Sequence, residues 1–340
     1  MGLDAAQIDL VVREQHERQP FSGVVQVRVD GDVVFAEGFG YSNRADAIPN
    51  GVSTRFATAS GTKTFTGIAV CQLIEAGKLS PNTRLADVVD CSFPRFDPAV
   101  TIHHLLTHTS GVPDYFEEEE LDAQADFGDV FGDLPVYRVR GPSDLLPLFQ
   151  NEAMKFNPGQ RFSYSNGGYV LLGLAIEAAT GSAYADYVER HVFARAGMTA
   201  SGFFEMDDLP SHTAFGYLDD GRTNIYEVPV KGMPDGGAFV TAPDVSSFWD
   251  ALFGHRLLGP KMTTALLHPY VAADPGGDDE RHYGFGLWMA AKDGAVSRYT
   301  STGADPGVAY VSAHFVPENV ELTILGNTES DAWPLFAVLK

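Results

Sequence analysis

Apolar and polar positions alternate most regularly near the two ends of the chain. Residues 23–40 hold two β-rich runs on either side of Asp30-Gly31, a pair that favours a tight hairpin turn. Near the other end, runs at 283–290 and 295–299 flank Asp293-Gly294, and runs at 308–315 and 320–325 flank Pro317-Glu-Asn. These are two further hairpins. Elsewhere the apolar spacing is helical. Phe65, Ile68, Ala69, Leu73 and Ala76 recur at intervals of three and four, with Gly77 as a natural stop, so residues 59–77 read as a helix. A second apolar helix begins at Val170, after the Pro158-Gly159 turn. Residues before Gly23 read as an opening helix, and 79–223 as helices and loops. The stretch from Met233-Pro-Asp-Gly-Gly to Asp244 returns the chain toward the strands.

Strands at both ends with helices between them predict a mixed α/β (α+β) fold. Its core is one antiparallel sheet assembled from both ends of the chain and flanked by helices. The expected division is 1–78 with 224–340 as the sheet part and 79–223 as an inserted, mostly helical part, with a cleft between them.

Charge narrows the function. The chain has 340 residues with 45 acidic and 23 basic side chains, a formal net charge of −22. Such a surface repels phosphate backbones and anionic lipid, which argues against nucleic-acid and membrane partners. Cys71 and Cys91 show neither metal-ligand spacing nor a disulfide framework. The opening residues lack a signal-peptide pattern, so the chain reads as cytoplasmic, and a monomer is the default. Glu117 to Glu120 reads as a solvated acidic face.

Three local patterns carry candidate chemistry. Ser60 stands at the start of the first helix with Lys63 one turn on, so the free N–H groups of the helix end favour negative charge near the hydroxyl. A serine hydroxyl needs a neighbouring base, and a desolvated lysine can supply one. Taken alone, the pair is equally an N-cap and a surface lysine. Tyr164-Ser165-Asn166 lies in the loop leading into the second helix. A tyrosine near an ammonium can act as a base, and Asn166 offers an amide to orient a substrate or the lysine. Ser301-Thr302-Gly303-Ala304 is a small-residue run on an edge strand, where a substrate backbone can approach. The Ser60 and Ala304 N–H groups together would form an oxyanion hole.

In that order, the three patterns resemble the penicillin-recognising serine hydrolases. The similarity is to the branch holding class C β-lactamases, D-alanyl-D-alanine carboxypeptidases and related family VIII-type esterases. Supporting matches are Thr101-Ile-His-His-Leu-Leu-Thr-His-Thr-Ser-Gly111, Pro158-Gly159, Leu172-Gly173, Gly197-Met198 and Tyr283-Gly-Phe-Gly286. The resemblance implies a β-lactamase/transpeptidase-like fold and an acyl-enzyme on Ser60, assisted by Lys63 and Tyr164. Asn166, Ser301, Thr302, Gly303 and Ala304 would hold a small-molecule or short-peptide acyl substrate, without cofactor or metal. One departure stands out: the third motif of the family begins with Lys or His, and here that position is Ser301. Without that cation, the favoured substrates are esters or amides lacking an essential carboxylate, with weak or no turnover of β-lactams. Lys292 and Arg298 are the sequence neighbours that would have to replace it. A β-lactamase or D-alanyl peptidase is the alternative activity, and a non-catalytic ligand-binding homologue is the other class. His103, His104 and His108 also contain a metal-type spacing, read instead as a structural segment.

Overall fold

The computed structural model describes residues 5–116, 130–132, 134–274, 280–329 and 332–340. The acidic run at Glu117 lies outside them. Eight strands form one antiparallel sheet. They are β1 (Gly23–Val29), β2 (Asp32–Phe39), β3 (Val271–Asp274), β4 (Glu280–Tyr283), β5 (Trp288–Lys292), β6 (Ala295–Asp305), β7 (Val308–Phe315) and β8 (Val320–Gly326). Their order across the sheet is β2-β1-β8-β7-β6-β5-β4-β3. The two ends of the chain meet where β1 pairs with β8, Gly23 opposite Gly326 and Val29 opposite Val320. Turn chemistry sets the hairpins. Asp30 (φ 52) with Gly31 (φ 89) and Asp293 (φ 52) with Gly294 (φ 78) take the left-handed conformation that a two-residue hairpin turn requires.

Helices cover both faces of the sheet. On the outer face α1 (Ala5–Arg18) and α6 (Ala332–Leu339) close an apolar layer in which Ile8, Val12 and Leu335 pack with Val25, Val311 and Ile324. On the inner face lies α2 (Thr62–Glu75), buried continuously from Thr62 to Leu73. A helix enclosed on all sides has to satisfy its polar groups internally. Thr62 donates to the Ala59 carbonyl at 2.9 Å, Thr64 to Gly286 at 2.8 Å and Thr66 to Pro234 at 2.6 Å. Two more helices, α3 (Ile102–Leu106) and α4 (Asn166–Thr180), pack beyond α2, and α5 (Ala242–Phe253) returns the chain to the sheet.

Three local expectations need adjustment. The run expected as one strand at 283–290 is broken into β4 and β5 by a turn at Gly284–Gly286. Gly286 (φ 89) lies so close to α2 that a Cβ there would stand 2.5 Å from the Lys63 carbonyl oxygen. Helix α4 starts at Asn166, four residues before Val170, because Ser165 caps it by accepting from Gly168 N at 3.0 Å. And β6 is an interior strand. It pairs with β5 only as far as Thr300, while β7 continues along it to Asp305, so residues 301–305 are unpaired on the β5 side. No helix among the described residues is long and apolar enough to cross a membrane.

Candidate active site

Ser60 lies in a single 3₁₀ turn, Ala59–Gly61, that runs directly into α2. The residue before it, Ala59, is held at φ 44, a costly conformation for a residue with a Cβ. Hydrogen bonds to its carbonyl help to keep it there. Thr62 and Gly237 N both donate to its carbonyl, at 2.9 and 3.2 Å. Against the same turn lies Gly303 of β6, where a Cβ would meet Ser60 N at 2.4 Å and the Thr58 carbonyl oxygen at 2.5 Å. The close approach anticipated for this glycine is therefore between strand and serine turn.

Lys63 is 1% exposed. Its ammonium donates to Ser60 Oγ at 2.9 Å, to Asn166 Oδ1 at 2.6 Å and to the Asp235 carbonyl at 2.7 Å. Those contacts use all three of its donors. The Tyr164 ring lies beside it, centroid 4.8 Å from Nζ, stacked on Trp288 at 6.0 Å and tilted against His108 at 4.4 Å. His108 is buried in the left-handed region (φ 55), and its Nδ1 accepts from Ser165 N at 3.0 Å. Burial, reinforced by Lys63, holds its imidazole well below its ordinary value, so the ring is neutral. Asp114 anchors the start of α4 by accepting from Asn166 N at 2.6 Å and Gly167 N at 2.8 Å, a carboxylate at the positive end of the helix.

Two depressions meet at Ser60. The outer one is lined by Tyr164, Trp288, Arg281, Thr302, Gly303 and Ala304. The inner one has mostly apolar walls, among them Phe116, Phe131, Phe204 and Met206, with Asn166, Tyr115, Asp235 and Lys231 among its polar groups. Tyr115 donates a short hydrogen bond to Asp235 Oδ2. Burial pushes the Asp235 carboxyl up, while Lys63 and Tyr115 hold it down.

The fold thus gathers Ser60, Lys63, Tyr164, Asn166, Thr302, Gly303 and Ala304 around one cleft. Ser301 lies apart from that cleft surface. It is 2% exposed, with Oγ 2.9 Å from Thr64 Oγ1 on the inner helix and 3.3 Å from the Gly61 carbonyl oxygen in the serine turn. Neither sequence neighbour of Ser301 lines the cleft. Arg298 lies over Phe315 and Phe336, and Lys292 ends β5 exposed. The cation lining the outer depression is Arg281, 4.5 Å above the Trp288 ring. The histidines are used structurally: His104 Nδ1 accepts from Thr101 N at 3.2 Å, and His103 packs on Tyr270 and Phe285. Sequence reading missed Asp114, Tyr115, Asp235, Arg281 and Trp288. Asp235 had a usable signal, an acid between Pro and Gly-Gly in a stretch otherwise marked only as a turn back to the sheet.

The beta-lactamase family profile matches residues 8–336. Penicillin-binding protein 4* of Bacillus subtilis is 29% identical over 343 residues, covering 95% of this chain and 72% of that protein. A crystal structure of a penicillin-binding protein from Bacillus halodurans is 46% identical, covers 98% of both chains and superposes with a TM-score of 0.90. A D-stereospecific amidohydrolase from Streptomyces sp. shares the fold at 21% identity, with a TM-score of 0.78 over 99% of this chain and 98% of that one.

Proposed function

The chain belongs to the beta-lactamase family, and from that premise we propose that it is a serine hydrolase acting through an acyl-enzyme on Ser60. The observation that carries this reading is the 2.9 Å contact from the buried Lys63 ammonium to Ser60 Oγ at the floor of an open cleft. In the proposed reaction Ser60 Oγ attacks the substrate carbonyl and loses its proton to the Lys63–Tyr164 pair. The Ser60 and Ala304 N–H groups receive the negative oxygen. Collapse of the tetrahedral intermediate breaks the bond to the leaving group, which takes up the proton from the tyrosine side. Water then attacks the ester on Ser60, giving up a proton to the same pair, and the acid leaves as Ser60 is reprotonated.

Esters or amides are the proposed substrates, with weak or no turnover of β-lactams. The basis is Ser301. Its short side chain is turned to Thr64 and Gly61, so no cation rises from that position to meet a carboxylate. Arg281 favours a second reading, a β-lactamase or D-alanyl peptidase, because a guanidinium at the cleft mouth can bind such a group. It is exposed and engaged with Trp288, where solvent weakens its pull.

Labelling with a fluorophosphonate, together with turnover of a short-chain nitrophenyl ester and a chromogenic cephalosporin, tests the proposal. The expected result is one adduct and ester hydrolysis, both lost in Ser60→Ala, with the cephalosporin cleaved far more slowly. Cephalosporin turnover matching the ester would select the second reading. No adduct and no turnover in folded protein would leave a ligand-binding homologue.

A further inference from the structure

The inner depression contains a carboxyl group that the proposed reaction does not use. Asp235 is 5% exposed and lines the depression with Ser60 and Asn166. Its main-chain carbonyl serves Lys63 and its Oδ2 is held by Tyr115, yet Oδ1 has no hydrogen-bond partner among the described residues. An acceptor left buried and unpaired forfeits the hydration it had in water, so such atoms call for a function. A second carboxyl, Asp305, lines the same depression. Of the neighbouring cations, Lys63 spends its donors on Ser60, Asn166 and the Asp235 carbonyl while its charge also acts on the Asp235 carboxyl, and Lys231 lines the same depression.

Resting on the acyl-enzyme reading, the geometry assigns the two depressions to the two halves of the substrate. Tyr164 lines the outer one, where a departing group would take up its proton. The acyl half therefore enters the inner one. We propose that this inner depression is an acyl-group pocket for substrates carrying an ammonium group next to an apolar or aromatic side chain, with Asp235 Oδ1 receiving the ammonium. The phenylalanine and methionine walls take the side chain, and Asp305 adds its field.

The test compares 2-phenylethylammonium with its neutral isostere 2-phenylethanol as protectants of Ser60 against fluorophosphonate labelling. It also compares the 4-nitrobenzyl esters of racemic phenylalanine and of 3-phenylpropanoic acid as substrates. The ammonium compound is expected to protect at concentrations about tenfold or more below those of the alcohol, the size of one charge-assisted hydrogen bond. The amino ester should lead in kcat/KM by a similar factor. In Asp235→Asn both preferences should collapse toward unity. Equal protection by the two compounds in wild type, or preferences unchanged in Asp235→Asn, would overturn the ammonium pocket and leave the Ser60 reading standing. Absence of any labelling in folded wild type would overturn the Ser60 reading itself. The wild-type comparison decides the matter even if the variant fails to fold.

Discussion

His108 shows how much a single side chain can settle. Its backbone sits at φ 55, its Nδ1 takes the Ser165 N–H, and its ring forms the wall behind Tyr164. The folded protein holds this imidazole neutral, first through burial and then through Lys63. In the unfolded chain the same ring titrates near about 6.5. Below that pH the unfolded state binds a proton that the folded state refuses. The stability this group contributes is therefore complete above about pH 7 and declines as pH falls, by up to about 1.4 kcal/mol per pH unit. His103 and His104, also lowered chiefly by burial, add to the slope in the same direction. Asparagine tolerates the left-handed backbone and places an acceptor where Nδ1 stood. His108→Asn is accordingly expected to unfold in urea with a flatter dependence on pH between about 7.5 and about 5.5. A slope equal to that of wild type would assign the proton uptake to other groups. At this scale the sequence was half legible. Ser60 and Lys63 could be read because they stand one turn apart at a recognisable helix start, and Asn166 because it lies in the loop leading into the next apolar helix. Asp235 and Trp288 reach the cleft only through tertiary contacts that no local spacing encodes.

Elements meet at the serine turn, where residues 58–61 and β6 press backbone against backbone across Gly303. A methyl group there would lie 2.4 Å from Ser60 N, and neither main chain has a flexible tip that can yield. Gly303→Ala is expected to move strand and turn apart. A displacement of about 1 Å at reacting atoms costs about a hundredfold. Fluorophosphonate labelling should therefore slow by about that factor or more while the circular dichroism spectrum stays native. Gly51→Ala, whose added Cβ meets nothing within 4 Å, is the matched control and should label at the wild-type rate. An unimpaired Gly303→Ala would mean that the strand does not fix the nucleophile. The hairpins could be read from turn chemistry alone, since Asp-Gly pairs impose both left-handed residues of the turn. The break between β4 and β5 could not. Gly286 is bent by the helix behind it, and an apolar run carries no mark of a neighbour that close. The early start of α4 was hidden for a related reason: Ser165 caps it and Asp114 reaches over from a distant segment.

Across the whole molecule, the sheet separates two apolar layers with different duties. The inner layer holds α2 and the cleft, and the outer layer joins α1, α6 and the backs of β1, β7 and β8. That both ends of the chain feed one sheet followed from the hairpins at each end. That β1 would lie between β2 and β8 did not, because pairing across nearly the full chain length is decided by long-range packing. The separation predicts that stability and activity can be changed independently, even within one helix. Leu335 of α6 is 1% exposed and belongs to the outer layer, whereas Trp333, two residues earlier, is 37% exposed and lines the outer depression with Ser60. Leu335→Ala should lower the unfolding free energy in urea by about 2–5 kcal/mol, through lost burial and the cavity left behind. The ester kcat of the fraction still folded should be unaltered. Trp333→Ala should do the reverse: an unfolding free energy within about 0.5 kcal/mol of wild type, as expected of a partly exposed position, and a raised KM for the ester. A Leu335→Ala protein that is folded yet slow would show that strain in the outer layer reaches Ser60. The route would be β7, whose Tyr310 ring would lie 2.2 Å from a Cβ at Gly61.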